Sequence, residues 1–363
     1  MTRLSMKRLL MKRLGVIMEP ASGDPNEVEG VLNPAAARGP DGHLYLFPRL
    51  VAKGNYSRIG IARVIFGDNG DPVGVERLGV ALEPEADYEL AGHGIGGCED
   101  ARINYVEPLG HYVMTYTALS ARGPRIAIAR SDDLLHWERV GLARFTSNRG
   151  IDVDGVDNKD AAVFPVFIED PRNIPSIAML HRPLFPGTRP EERVKSPSDA
   201  GPPMLQNMWI SYWHTNASHE LVRPGKFVTH RLLAKGEAPW ETLKIGCGTA
   251  PVDCGQGWLI VYHGVHETGV SPSGRHELNY SAGIMILDRE HPHRILYRSP
   301  EPVLFPETDL ELHGAVDSVV FPTGIDRRTD IGQPDRYDVY YGMADDRIGV
   351  ASLQLPPSLA RER

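Results

Sequence analysis

Glu99-Asp100-Ala101-Arg102 lies in the stretch GGCEDARI, between a glycine pair and an apolar run. A carboxylic acid there can protonate a leaving oxygen, or merely pair with a neighbouring arginine. Comparable clusters recur at Asp157-Asn158-Lys159-Asp160, His181-Arg182, Tyr262-His263 and Asp345-Asp346-Arg347. They sort into two sets. Asp100, Asp345 and Asp160 suit hydrogen bonds to hydroxyl-rich ligands and proton donation to an oxygen. Lys159, Arg182 and His263, with Arg58 nearby, suit a small oxyanion such as phosphate. Tyr56, Tyr116, Trp213, Tyr262 and Tyr341 offer faces on which a pyranose ring can pack.

These residues sit far apart in the chain, so the fold must gather them. Short β-type runs alternate with Gly- and Pro-rich turns along the whole sequence, as in HLYLFPRL, HYVMTYTAL, MWISYWH, GWLIVYHGV and YDVYYGMAD. Helical periodicity is almost absent. An aromatic-rich strand recurs five times, at intervals of roughly 65–80 residues, and Arg-Ile-(Gly/Ala)-(Ile/Val)-Ala follows three of these strands. Radial repetition of small antiparallel sheets is a β-propeller, in which strand ends converge on an axis. A two-sheet sandwich does not require such repetition. The expected organisation is one all-β domain over residues 31–355, wrapped by an N-terminal segment of residues 1–30. The stretches 185–207 and 265–280 read as loops projecting from it, and the acidic run Glu83–Glu89 as a solvated loop.

The 363 residues carry a net charge of -8, which argues against a nucleic-acid surface. Three scattered cysteines point to neither a disulfide framework nor a zinc site. No apolar run reaches the length of a membrane span, and basic residues interrupt every candidate signal segment near the start. A cytoplasmic location is the expectation, with no metal and no organic cofactor.

The ordered series NPAAA, NYSRIGIAR, GGCEDARI, DNKDAAVFP, LHRP, YHG and YGMADDRIGVA resembles the signatures of glycoside hydrolase family 130 from about Asn33 to Ala351. The resemblance implies a five-bladed β-propeller and an inverting β-mannoside phosphorylase, which splits a β-mannosidic bond with inorganic phosphate to give α-mannose 1-phosphate, reversibly. It makes Asp100 the general acid, acting through the sugar 3-hydroxyl, and Asn33, Arg58 and Asp345 ligands of the mannosyl ring. Glu99 and Asp160 join the sugar site. Lys159, Arg182 and His263 grip phosphate, with Tyr262 beside them. Ala101 stands where the family usually has proline. Glu169-Asp170-Pro171-Arg172 carries the proline form, but out of the family's order.

The chemistry of the two sets agrees with phosphorolysis. An inverting hydrolase needs an acid and a base about 6.5–9.5 Å apart to hold a water. Phosphate is already an anionic nucleophile, so one acid suffices, with positive charge to hold the phosphate. A β-1,2-mannosidase of the same family and a non-catalytic carbohydrate-binding propeller are the alternatives. A mannosyl disaccharide or manno-oligosaccharide and phosphate are the expected partners, with homo-oligomers also expected.

Overall fold

The chain was analysed as a computed structural model that describes residues 9–92, 96–148, 150, 152–185, 206–214, 225–271, 274, 276–357 and 359. Strand β1 (Lys12–Met18) is followed by β2 (Gly30–Arg38), β3 (Leu44–Ala52), β4 (Tyr56–Phe66) and β5 (Pro72–Leu82), of which β2 to β5 form the first blade. The second blade is β6 (Gly96–Val106), β7 (His111–Ser120), β8 (Gly123–Ser131) and β9 (Glu138–Leu142). The third contains β10 (Arg144–Phe145), β11 (Asp157–Val163), β12 (Ile168–Glu169), β13 (Pro175–Leu184), β14 (Met208–His214) and β15 (Lys226–Ala234). The fourth is β16 (Lys244–Gly246), β17 (Val252–Asp253), β18 (Trp258–Val270), β19 (His276–Leu287) and β20 (Ile295–Arg298). A single-turn helix, α1 (Asp309–Leu312), leads into β21 (Val320–Arg327), β22 (Arg336–Met343) and β23 (Arg347–Gln354) of the fifth.

The result is a five-bladed β-propeller. Its fifth blade has the order β1-β23-β22-β21, so the first strand among the described residues pairs antiparallel with the last. Residues 12–18 are therefore part of a blade, whereas the sequence pattern alone has them in a wrapping segment of residues 1–30. The expected loop after Tyr262-His263 is instead a long hairpin, with pairing from Trp258↔Leu287 out to Val270↔His276. Most of the expected 185–207 loop lies outside the described residues.

Three innermost strands share one irregularity. The register shifts between Leu32 and Ala35 in β2, between Glu99 and Arg102 in β6, and between Lys159 and Ala162 in β11. Each shift contains one residue with left-handed backbone: Asn33 (φ 47), Asp100 (φ 49) and Asp160 (φ 56). Asn and Asp tolerate this region better than other non-glycine residues, and a bulge re-aims the side chains beside it. Blades 1 and 2 also touch directly, through a parallel pairing of Ser57 with Gly97. A Cβ at Gly97 would collide with the Ser57 carbonyl, so only glycine permits that approach.

Four blades are clasped from inside to outside by a buried glutamate. Glu27, Glu89, Glu241 and Glu311 each precede the blade's inner strand and are at most 2% exposed. Each binds an arginine of the same blade's outermost strand, respectively Arg77, Arg139, Arg298 and Arg13. In three of them a tyrosine of the second strand also donates to the carboxylate: Tyr116 to Glu89, Tyr262 to Glu241 and Tyr341 to Glu311. Backbone N–H groups at Ala21, Glu85, Glu237 and Glu307 supply further donors. A buried carboxylate is tolerated only with such saturation. The expected solvated run Glu83–Glu89 thus ends in a clasp, because Glu89 has Arg139, Tyr116 and two backbone donors to satisfy it.

Candidate active site

Residues of all five blades line one cavity at the axis. Asn33 and Arg49 come from the first blade, Asp100 from the second, Lys159 and Arg182 from the third. Lys244, His263 and Tyr280 come from the fourth, and Val319, Phe321 and Asp345 from the fifth. The empty volume open to water there is about 120 Å³.

One side is acidic. Asn33 Nδ2 donates to Asp100 Oδ1 at 2.9 Å, and Arg49 Nη1 lies 3.6 Å from the same oxygen. Burial raises the Asp100 pKa, but Arg49, Lys159 and Arg102 together with the Asn33 hydrogen bond hold it below the usual carboxylate range. Arg102 does not pair with the Asp100 carboxylate. It donates to the Asp100 carbonyl at 2.8 Å and to the carbonyls of Gly248 and Cys247 in the fourth blade, tying two blades across the ring. Asp345, in left-handed backbone (φ 51), behaves differently. Burial and the nearby Asp100 push its pKa up to about 6, against the pull of Arg49 and Lys159. Of the two carboxyls Asp345 is therefore the more easily protonated.

The other side is basic. Arg182 Nε donates to Asp160 Oδ2 at 2.6 Å, and its Nη1 to Gln206. Lys244 Nζ donates to the Tyr280 hydroxyl at 2.7 Å. Burial, with Arg182 and Lys159 close by, lowers the Lys244 pKa to about 7. His263 is fully buried, and neither ring nitrogen has a hydrogen-bond partner among the described residues. Burial, aided by Arg182 and Lys244, pushes it well below the ordinary imidazole range even with Asp160 3.5 Å away. It is a neutral hydrogen-bonding group and not the cation expected from sequence. Its ring lies against Phe321, with centroids 4.4 Å apart.

Several sequence candidates lie elsewhere. Arg58 is on the third strand of its blade; its Nη2 meets Glu83 at 2.8 Å and its guanidinium lies over Tyr56. Arg49, on the second strand and nearer the axis, occupies the cavity instead. Tyr262 points away from the cavity because neighbours on a strand alternate faces. With His263 turned inward, Tyr262 packs on Trp240 and clasps Glu241. Glu99 stands behind Arg49, 2.8 Å from its Nη2. Asp160 is fully buried behind Arg182; burial pushes its pKa up, but Arg182, Lys159 and Arg102 outweigh burial and hold it well below the usual carboxylate range. Tyr116 and Tyr341 clasp glutamates, and Trp213 packs on Phe227, so Phe321 and Tyr280 are the aromatic walls. Ala101 is buried in the core beside Cys98 and Ile103. Asp170 of the alternative Glu-Asp-Pro-Arg stretch is engaged by Arg172, His214 and Thr229, away from the cavity.

Sequence reasoning missed Arg49, Lys244, Tyr280 and Phe321. The family model described as beta-1,4-mannooligosaccharide phosphorylase matches residues 7–189 and 204–357. The chain belongs to glycoside hydrolase family 130. This family 130 chain is 29% identical to a 1,2-beta-oligomannan phosphorylase of Thermoanaerobacter sp. (strain X514), over 97% of this chain and 98% of that protein. It is also similar to the beta-1,2-mannobiose phosphorylase of Listeria innocua solved with beta-1,2-mannobiose, at 21% identity and a TM-score of 0.65, covering 93% of this chain and 94% of that one. A further solved member, from work describing family 130 hydrolases that target beta-1,2-mannosidic linkages in Candida mannan, has 21% identity and a TM-score of 0.62 over 95% and 97%. The latter two likenesses carry the propeller fold of the family.

Proposed function

We propose that this chain is an inverting β-mannoside phosphorylase. The observation that carries the reading is the division of one cavity into an acid side and a basic side. Asp100, Asn33, Arg49 and Asp345 hold the mannosyl ring. Lys159, Arg182 and Lys244 supply charge for phosphate, while neutral His263 and the Tyr280 hydroxyl supply hydrogen bonds. Among the described residues lining the basic side none is a carboxylate. The described part of that wall thus offers no base that would activate water, which favours phosphate as nucleophile.

The charge pattern also bears on proton delivery. Lys159 is one of the cations holding the Asp100 pKa below the usual carboxylate range. A phosphate bound at Lys159 cancels part of that field and raises the affinity of Asp100 for a proton. The general acid then becomes competent when the nucleophile is in place. Phosphate attacks the anomeric carbon, the glycosidic C–O bond breaks, and the leaving oxygen takes the proton from Asp100. The product is α-mannose 1-phosphate. No organic cofactor enters this scheme.

The test is product analysis with mannobiose and manno-oligosaccharides, with and without phosphate. Phosphate-dependent release of α-mannose 1-phosphate is expected. Mannose release at an equal rate without phosphate overturns the reading in favour of hydrolysis.

A further inference from the structure

The third blade carries none of the four glutamate clasps, yet it bears both Lys159 and Arg182. A chain of hydrogen bonds between neutral groups spans it instead. His181 Nε2 on β13 lies 2.7 Å from Ser211 Oγ on β14, and Ser211 Oγ lies 2.8 Å from His230 Nδ1 on β15. His230 Nε2 ends the chain, 2.9 Å from the carbonyl oxygen of Thr146, the residue after β10. At the inner end, His181 Nδ1 lies 3.1 Å from the side-chain amide of Asn158 on β11. Phe145 packs against both imidazoles, with centroids 5.0 Å from His181 and 5.9 Å from His230. None of these residues lines the axial cavity.

The direction of donation follows from the outer end. Burial, with His230 close by, pushes the His181 pKa down to about 3, and burial lowers His230 as well, so both rings are neutral at neutral pH. A carbonyl oxygen only accepts, so His230 carries its proton on Nε2 and presents Nδ1 as an acceptor. The Thr146 hydroxyl, 3.2 Å from the same Nε2, has the Phe227 carbonyl to donate to. Ser211 gives its one proton to His230 Nδ1, and its oxygen then accepts from His181 Nε2–H. His181 Nδ1 is left as an acceptor. The Asn158 oxygen at that position would set acceptor against acceptor and leave Nδ2 buried without a partner among the described residues. Turned end for end, the amide donates from Nδ2 to Nδ1, and the chain is consistent from Asn158 to Thr146.

Asn158 and His181 each stand one residue before a cation of the basic wall. Lys159 and Arg182 oppose each other across β11 and β13 and line the cavity. Neighbours on a strand alternate faces, so Asn158 and His181 meet diagonally on the other side of that pair. The backbone ladder gives β11 little hold there: Pro183, opposite Asn158, has no N–H, and the register shifts beyond Lys159. We infer that His181 is a positioning residue for the phosphate wall, resting on the phosphorylase reading above: as its Nε2–H tautomer it pins Asn158, and through β11 it sets where Lys159 stands relative to Arg182. Being neutral, the chain does this without adding a charge behind the two cations.

Two measurements on the full chain test this, and the first needs no turnover. Long-range proton–nitrogen NMR of histidine-labelled protein reads the tautomer, with His181 assigned by the loss of its signals in His181→Gln. Wild type should show the Nε2–H tautomer, and Ser211→Ala should mix in the Nδ1–H form. The second is phosphorolysis of mannobiose and manno-oligosaccharides. Ser211→Ala should raise the KM for phosphate about fivefold, the scale of one hydrogen bond, with kcat within about twofold of wild type. Ser211→Thr, which keeps the hydroxyl, should restore the KM. Asn158→Ala cuts the chain at its other end and should raise the KM likewise. Tyr262→Phe, which cuts the clasp of the fourth blade, should leave it unchanged. An Nδ1–H tautomer in wild type, or a phosphate KM unmoved in both Ser211→Ala and Asn158→Ala, overturns this inference alone. A KM raised as much by Tyr262→Phe makes the chain general scaffold and overturns it too. Mannose release by wild type at an equal rate without phosphate overturns the phosphorylase reading, and the role at the phosphate wall falls with it whatever the tautomer.

Discussion

Asn33 Nδ2 donates to Asp100 Oδ1 at 2.9 Å, joining two left-handed residues on the inner strands of adjacent blades. The bond helps hold Asp100 below the usual carboxylate range. Asp100→Asn keeps the shape and the tolerated backbone conformation but removes the acid. Its kcat for phosphorolysis should fall by about 10²–10⁴, with an unchanged thermal midpoint. Asn33→Ala should lower kcat by about tenfold, and the Asp100 pKa should rise. Carboxyl titration by carbon-detected NMR reads that rise directly.

Asp345 places function and stability in opposition. Its folded pKa of about 6 lies above the ordinary aspartate value of 3.8. Folding therefore favours the protonated form. The group's stabilising contribution is present below about pH 4 and is lost as pH rises through 6. Asp345→Asn, an isostere that also accepts left-handed backbone, should be more stable than wild type above pH 6, by about 1–3 kcal/mol. The gain should vanish near pH 4, and activity should be lost at all pH values. Chemical denaturation at pH 4 and pH 8 checks the sign.

Lys244 sets a pH limit on phosphate binding. With a pKa lowered to about 7, it is charged below that pH and neutral above it. The wild-type KM for phosphate should rise as pH increases through 7. Lys244→Arg, which stays charged, should flatten that rise. Comparing the two profiles removes the titration of phosphate itself, which both share. Parallel profiles would refute a role for the lysine charge.

Tyr262 and Arg58 separate scaffold from site. Tyr262→Phe deletes the hydroxyl that donates to Glu241 at 2.6 Å and should cost about 1 kcal/mol of stability. Its KM for phosphate should not move. Arg58→Met breaks the pair between buried Arg58 and half-exposed Glu83, away from the cavity, and should change kcat/KM by less than about twofold. A large kinetic effect at either position would restore it to the active site.

The propeller and half of its cavity are legible in the amino-acid sequence because both repeat. Asn33-Pro34-Ala35, Asp100-Ala101-Arg102 and Asp160-Ala161-Ala162 place an Asn or Asp at the same bulge in three blades. Lys159 and Arg182 lie near strand ends, Asp345 lies in a turn and His263 lies mid-strand in β18, each within a local signature of its own. Arg49, Lys244 and Tyr280 have none: Arg49 is a lone charge inside a β run, Lys244 opens the three-residue β16, and Tyr280 lies between Asn279 and Ser281 in β19. What brings them to the axis is strand phase and the layer each strand occupies in its blade. The same two quantities misplace Arg58 and Tyr262, since one register step turns a side chain to the opposite face. The glutamate clasps do leave a trace in Pro84-Glu85, Gly236-Glu237 and Pro306-Glu307, each followed four residues later by the buried glutamate.

The pairing of β1 with β23 orders events during synthesis. Lys12 leaves the ribosome 340 residues ahead of its partner Ser352. At about 5–20 residues per second, the nascent first strand stays without its partner for on the order of tens of seconds. The first four blades can assemble in that interval; the ring cannot close. An unpaired strand is an aggregation hazard, and flanking charge is the usual safeguard. Lys12 and Arg13 head this strand, and Arg13 then docks on Glu311 when the fifth blade arrives. The residue that keeps the waiting strand soluble is thus also the latch of the finished ring.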